Sequence, residues 1–203
     1  APSVWGAFMQ RETESIVSFG VPLVFEGGGI FVRDTNVNTL GDEIRGKLGS
    51  IERLMGELKI GPAYDKASQL GPLVNAEHRQ SVIKWIEKGV EEGAELVLDG
   101  RQIQGAPGYE GGFYLGPTLF DHVQPGMSIG AREIFGTVLF IKRVKDFEEG
   151  VAVMNGNEVA TGSVIYTQSG YYAREFARRT HGGMVGINVG IPVPLGIFGF
   201  TGH

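Results

Sequence analysis

The residues in this chain that could do chemistry are a serine motif, a set of carboxylates, and two aromatic and glycine segments. Gly126-Met127-Ser128-Ile129-Gly130 fits Gly-x-Ser-x-Gly, a pattern that can present a serine hydroxyl as a nucleophile. Such presentation needs a strand running into the serine, a helix leaving it, and a histidine and an acid within reach. Pro125 stands directly before the motif, and Glu133 to Phe140 reads as strand rather than helix. His181 could serve as base, but no positioned acid accompanies it. A chance match in a glycine-rich chain is the favoured reading, and a serine hydrolase the alternative.

Asp121, Glu133, Asp146, Glu148 and Glu149 invite a paired-carboxylate reading. The last three fall at a helix start, where acids complement the dipole and cap unpaired amides. Glu133 lies between apolar residues at the mouth of a presumed strand. There it is either a surface residue or an acceptor facing a ligand, and the local sequence leaves both open. His78, His122, His181 and His203 are scattered without metal-ligand spacing, so no metal site is expected. The chain contains no cysteine, which removes disulfides, thiolate ligands and any thiol nucleophile.

Gly27-Gly28-Gly29 could in principle cradle a phosphate, but no Gly-x-Gly-x-x-Gly or Walker pattern surrounds it, and a turn is the simpler reading. Near the other end, Ile191-Pro192-Val193-Pro194 is rigid and short of backbone donors, so it is no interior strand. It delivers Phe198 and Phe200 to something apolar, for which core packing is the plain explanation.

These groups must be positioned by a folded core. Of 203 residues, 42% are hydrophobic and 20% charged, which fits a folded domain rather than disorder. Glycine is in excess at 33, without the period of collagen. A net charge of −5 gives no electrostatic reason to bind phosphate backbones, and nucleic acid is not an expected partner. No apolar run approaches the roughly 20 residues of a membrane span. Ala1 to Trp5 shows no signal-peptide pattern, so the cytoplasm is the expected location, or the mitochondrial matrix if a transit segment lies outside this chain.

Apolar residues recur at helical spacing from Leu40 to Leu58, and again at Val82, Ile86 and Val90 after a capping Asn75. Further helices are expected from Asp146 through Met154 and over 170–179. Strands are expected at 30–32, 96–98, 113–120, 138–144, 163–166 and 184–189. Alternation of this kind predicts one α/β domain, with a mainly parallel sheet covered by helices on both faces.

Several of these segments, in this order, resemble the aldehyde dehydrogenase superfamily. Arg132-Glu133-Ile134-Phe135-Gly136-Thr137-Val138 is similar to its Glu-Glu-Ile-Phe-Gly-Pro-Val signature. Leu58-Lys59-Ile60-Gly61, Gln69-Leu70-Gly71-Pro72-Leu73-Val74, Glu92-Gly93-Ala94, Gly100-Arg101 and Tyr114-Leu115-Gly116-Pro117-Thr118-Leu119 also occur in family order. Gly186-Ile187-Asn188-Val189-Gly190-Ile191-Pro192-Val193-Pro194 and Phe198-Gly199-Phe200-Thr201-Gly202 resemble the CoA-acylating methylmalonate-semialdehyde branch. The likeness covers residues 30–203, and residues 1–29 match poorly.

The resemblance implies an aldehyde-dehydrogenase catalytic-domain-like fold, a small aldehyde substrate, NAD as cofactor, coenzyme A as co-substrate, no metal, and a homo-oligomer. In that chemistry a cysteine attacks the aldehyde, hydride passes to NAD, and the thioester goes to water or coenzyme A. It implies that Glu133 accepts from the nicotinamide ribose hydroxyls, that Phe135 packs near the nicotinamide end, and that Phe200 lines the acyl pocket. The chain departs from the pattern at Thr137, where the signature has proline, and at Arg132, where it has glutamate. The nucleophilic cysteine is missing, and Met9-Gln10-Arg11-Glu12 stands in about its place. The cofactor domain expected before this region and the oligomerising C-terminal segment expected after it are also missing. The expectation is therefore a detached catalytic domain, inactive alone, or a noncatalytic aldehyde-dehydrogenase-like module.

Overall fold

The computed structural model describes residues 49, 51–103, 108–144, 146–156, 162–167 and 169–188, together with the backbone of two strands at 23–26 and 29–33. These residues form two compact units, one from residues 44–141 and one from residues 1–43 with 142–203.

In the 44–141 unit, residues 51–56 are helical and bury Ile51 and Met55, one helical turn apart. Of the expected helix over 38–59, the helical stretch ends at residue 56, short of Lys59, and residues 38–48 lie outside the described set. Helix α1 (Ala76–Glu91) starts where Asn75 Oδ1 accepts a 2.7 Å hydrogen bond from the His78 amide. That bond satisfies one of the four amides that every helix start leaves unpaired. Val82 and Ile86, at i and i+4, are fully buried on its inner face. They pack with Leu115, Phe120, Val123, Ile129 and Phe140, and each such side chain contributes about 1.5–3 kcal/mol on leaving water.

Strand β1 (Leu23–Glu26) and strand β2 (Gly29–Arg33) belong to the other unit. The strands of the 44–141 unit are β3 (Glu95–Leu98), β4 (Thr118–Asp121) and β5 (Val138–Val144), whose last three residues pass into that other unit. β3 runs antiparallel to β4, and β4 runs parallel to β5 with Thr118 opposite Val138. The expected strand over 113–120 begins only at Thr118. Upstream, Pro117 has no amide to donate, while the Tyr114 carbonyl accepts from Arg79 Nε at 2.7 Å and the Gly116 amide donates to the Gly100 carbonyl at 3.0 Å. The strand expected from Glu133 likewise starts late, at Val138.

In the other unit, helix α3 (Phe147–Asn155) starts on Asp146, whose Oδ1 accepts from the Glu149 amide at 2.8 Å. It is followed by strand β6 (Gly162–Tyr166), helix α4 (Gly170–Arg179) and strand β7 (Met184–Ile187). Val144, Phe147, Val151, Met154, Ile165 and Phe176 form its core. β6 pairs parallel with β7 and antiparallel with β1, which in turn pairs antiparallel with β2. Helix α2 (Ser128–Ala131) is a single turn.

The α/β class therefore holds, with parallel strand pairs and packed helices. The pairing itself is more mixed than the expected mainly parallel sheet. Among the described pairs, β4–β5 and β6–β7 are parallel, whereas β1–β2, β1–β6 and β3–β4 are antiparallel. A parallel pair needs a crossover of a dozen or more residues, and two residues between β1 and β2 allow only an antiparallel one.

Candidate functional site

Glu133 and Phe135 sit together on the loop between α2 and β5, and the loop's conformation follows from what holds each of its residues. Phe135 adopts φ 57, in the left-handed region that an aromatic residue seldom occupies. This backbone turn breaks the expected strand and leaves the Phe135 ring 79% exposed. Glu133, two positions earlier, is also exposed. The loop thus offers solvent a flat apolar ring and, beside it, a carboxylate that can accept hydrogen bonds.

The far side of the loop is pinned. The His78 ring nitrogen Nε2 lies 2.8 Å from the Phe135 carbonyl oxygen. A Cβ added at Gly136 would come within 2.7 and 2.8 Å of the two Val82 γ-carbons, so glycine allows the loop to lie directly on α1. Thr137 is buried, its hydroxyl donates to the Gly116 carbonyl at 2.9 Å, and its own carbonyl accepts from the Thr118 amide at 2.8 Å. Thr118 Oγ1 in turn accepts from the Gly100 amide at 3.1 Å. Threonine in the signature's proline position is thus a satisfied buried hydroxyl that ties the loop to its neighbours.

Ser128 is not poised as a nucleophile. Its hydroxyl donates to Glu92 Oε1 at 2.6 Å and its amide to Glu92 Oε2 at 2.8 Å. Burial would raise the Glu92 carboxyl, but hydrogen bonds from Ser128 and the Ile129 amide, with the nearby Lys88 charge, hold it below its ordinary value. An ionised Glu92 therefore caps α2 from outside that helix. A helix does leave Ser128, contrary to expectation, but it is one turn long and no strand runs into it.

The other carboxylates are engaged within the fold. Asp146 caps α3, and Glu148 pairs with Arg179 at 2.5 Å. Asp121, 3% exposed, accepts from the His122 amide at 2.6 Å. Among the described residues no group of histidines and acids could hold a metal, and no helix is long and apolar enough to cross a membrane. Phe198 and Phe200 lie outside the described residues, as do Gly27 and Gly28. The roles of His78, Glu92 and Thr137 are invisible in the linear sequence, because each depends on a partner many positions away.

An exposed acid and an exposed aromatic ring on one loop of an α/β unit, with no strand running into Ser128, do not make a hydrolase elbow. Residues 47–203 match the aldehyde dehydrogenase family. The chain belongs to that family. It is 47% identical over 156 residues to malonate-semialdehyde dehydrogenase 2 of Shouchella clausii, covering 75% of this chain and 32% of that protein. It is 38% identical over 199 residues to malonate-semialdehyde dehydrogenase 2 of Bacillus anthracis, covering 97% of this chain and 39% of that protein. Among solved structures it resembles a putative methylmalonate-semialdehyde dehydrogenase of Sinorhizobium meliloti complexed with NAD. That match has TM-score 0.76 and 40% identity, over 79% of this chain and 33% of the other. The methylmalonate-semialdehyde dehydrogenase of Oceanimonas doudoroffii matches with TM-score 0.80 and 30% identity, over 97% of this chain and 39% of the other. The chain thus spans about a third of the length of these curated relatives.

Proposed function

We propose that residues 30–203 are the catalytic-domain portion of an NAD-dependent, CoA-acylating malonate- or methylmalonate-semialdehyde dehydrogenase. The observation that carries this reading is the Glu133–Phe135 loop, with its exposed acid and exposed ring held on strained, pinned backbone. Family membership and the semialdehyde dehydrogenase relatives support it. The residues present suit the nicotinamide end of NAD. Glu133 offers a carboxylate that accepts hydrogen bonds from vicinal ribose hydroxyls. The Phe135 ring offers a flat apolar face against a heteroaromatic ring. NAD, when bound, supplies the hydride acceptor for aldehyde oxidation. Phe200 is assigned to the acyl pocket on its motif position, and coenzyme A is the proposed acyl acceptor.

This chain has no cysteine, so it cannot form the thiohemiacetal through which the family oxidises aldehydes. Alone it is expected to bind the nicotinamide end weakly and to oxidise nothing. A noncatalytic aldehyde-dehydrogenase-like module is the second reading, favoured by the same missing thiol.

Titrating the purified chain with nicotinamide mononucleotide, followed by saturation-transfer NMR, tests the site. Glu133→Gln should weaken binding about tenfold or more, since a hydrogen bond to a charged group contributes about 1.5–3 kcal/mol, and Phe135→Ala should weaken it by removing the ring's apolar face. Binding indifferent to both substitutions would remove the loop from the site. Incubation with NAD, coenzyme A and methylmalonate semialdehyde should yield no NADH. Turnover lost on Glu133→Ala would overturn the assignment of inactivity.

A further inference from the structure

Helix α1 touches the 128–136 segment at four points that lie along one side of the helix. Glu92, at its C-cap, holds Ser128. Gly89 is covered by Ile129, whose Cδ1 would lie 2.9 Å from an added Cβ. Val82 lies against Gly136, and His78 reaches the Phe135 carbonyl. At 100° per residue these four positions fall within about 80° of one another round the helix. The segment therefore runs antiparallel along α1, and the exposed residues Arg132 and Glu133 lie between the anchored ends.

His78 is the anchor that acts on the Phe135 peptide itself. A carbonyl oxygen can only accept, so His78 Nε2 carries the proton in this contact. The backbone that carries this ring is itself held, since the His78 amide donates to the capping Asn75. Phe135 pays for its left-handed conformation, and left-handed backbone of a bulky residue persists only where its surroundings over-determine it. Gly136 supplies the close approach and Thr137 the downstream tie. The polar group of the turn that α1 itself meets is the Phe135 carbonyl, through His78.

We infer that His78 is a positioning residue, whose Nε2–H holds the Phe135 carbonyl and keeps the Phe135 ring presented to ligand. The inference rests on the reading of Glu133 and Phe135 as the nicotinamide-end loop. It goes beyond that reading by assigning a residue on another element to hold the loop in shape.

Chymotryptic cleavage after Phe135 tests it, with cleavage after the fully buried Phe120 as the report on global opening. Two substitutions separate donor from bulk: His78→Leu removes the donor, and His78→Gln retains one. His78→Leu should speed cleavage after Phe135 about fivefold relative to cleavage after Phe120, the loss of one net hydrogen bond. His78→Gln should restore the slower rate. Nicotinamide mononucleotide binding should fall and recover in parallel. Equal acceleration at Phe120 and Phe135, or Gln failing where Leu fails, would overturn the inference by making His78 a general packing residue. If the wild-type chain does not bind the mononucleotide, the functional reading fails, and the cleavage ratio still decides the role of His78.

Discussion

Substituting Gly136 with alanine tests whether the site loop is packed on α1 as tightly as the geometry requires. The added Cβ would lie 2.7 Å from Val82 Cγ2, 2.8 Å from Cγ1 and 3.3 Å from Cβ, where ordinary contact begins at 3.4 Å. Loop or helix must therefore give by about 0.6–0.7 Å, the shortfall from ordinary carbon contact. Val82 has no exposed surface and packs among Ile86, Leu115, Phe120 and Phe140, so little give is available. Overpacking of this kind costs about 1–3 kcal/mol. Alanine's stiffening of the unfolded chain offsets about 0.4–1 kcal/mol. The net expectation is a loss of about 1–2 kcal/mol. Val82→Ala removes the two clashing carbons and, alone, should cost about 1–2.5 kcal/mol through lost burial and a cavity. In the double variant the new methyl enters the vacated space, so the cost should fall short of the sum by about 1 kcal/mol or more. Urea unfolding of the four proteins, followed by circular dichroism and interpreted at constant m-value, gives the cycle. Strict additivity, or a stabilised Gly136→Ala, would refute the packing argument and with it the pinned-loop description.

Other contacts yield separate tests. Glu92, with its folded pKa depressed, contributes stability that is present above the ordinary carboxylate range and lost as pH falls through the depressed value. The stability advantage of wild type over Glu92→Gln should therefore shrink on acidification below that range, and a pH-independent difference in thermal unfolding would contradict it. A fluorophosphonate probe should leave Ser128 unlabelled, because its hydroxyl is committed to Glu92, and stoichiometric labelling by mass spectrometry would revive the hydrolase. Asn188, at φ 54, accepts from the Thr167 amide at 2.9 Å and donates to the Thr167 carbonyl at 3.0 Å. Asn188→Ala should cost about 2–4 kcal/mol in urea titration, from two hydrogen bonds and left-handed strain, while Asn188→Gly should recover the strain part.

Much of the fold was legible in the residues because it is set by local physics. Asn75 and the apolar residues at i and i+4 after it are enough to place α1, since capping and periodicity act within a few residues. The helix over 170–179 matched expectation end to end for the same reason. Glu133 and Phe135 were marked by their motif, and the roles given to them remain those of the proposal above. Tertiary structure decided the rest. Gly116 and Tyr114 turn to Gly100 and Arg79 instead of extending β4, a choice between partners that propensity does not encode. The mixed strand pairing depends on connection length and on neighbours distant in the chain. Above all, the shape of the site loop comes from α1, through His78 57 positions from Phe135 and Glu92 36 positions from Ser128. A sequence shows which groups can donate or accept. Only the folded chain, by excluding water and bringing remote backbone within 3 Å, selects which of them meet.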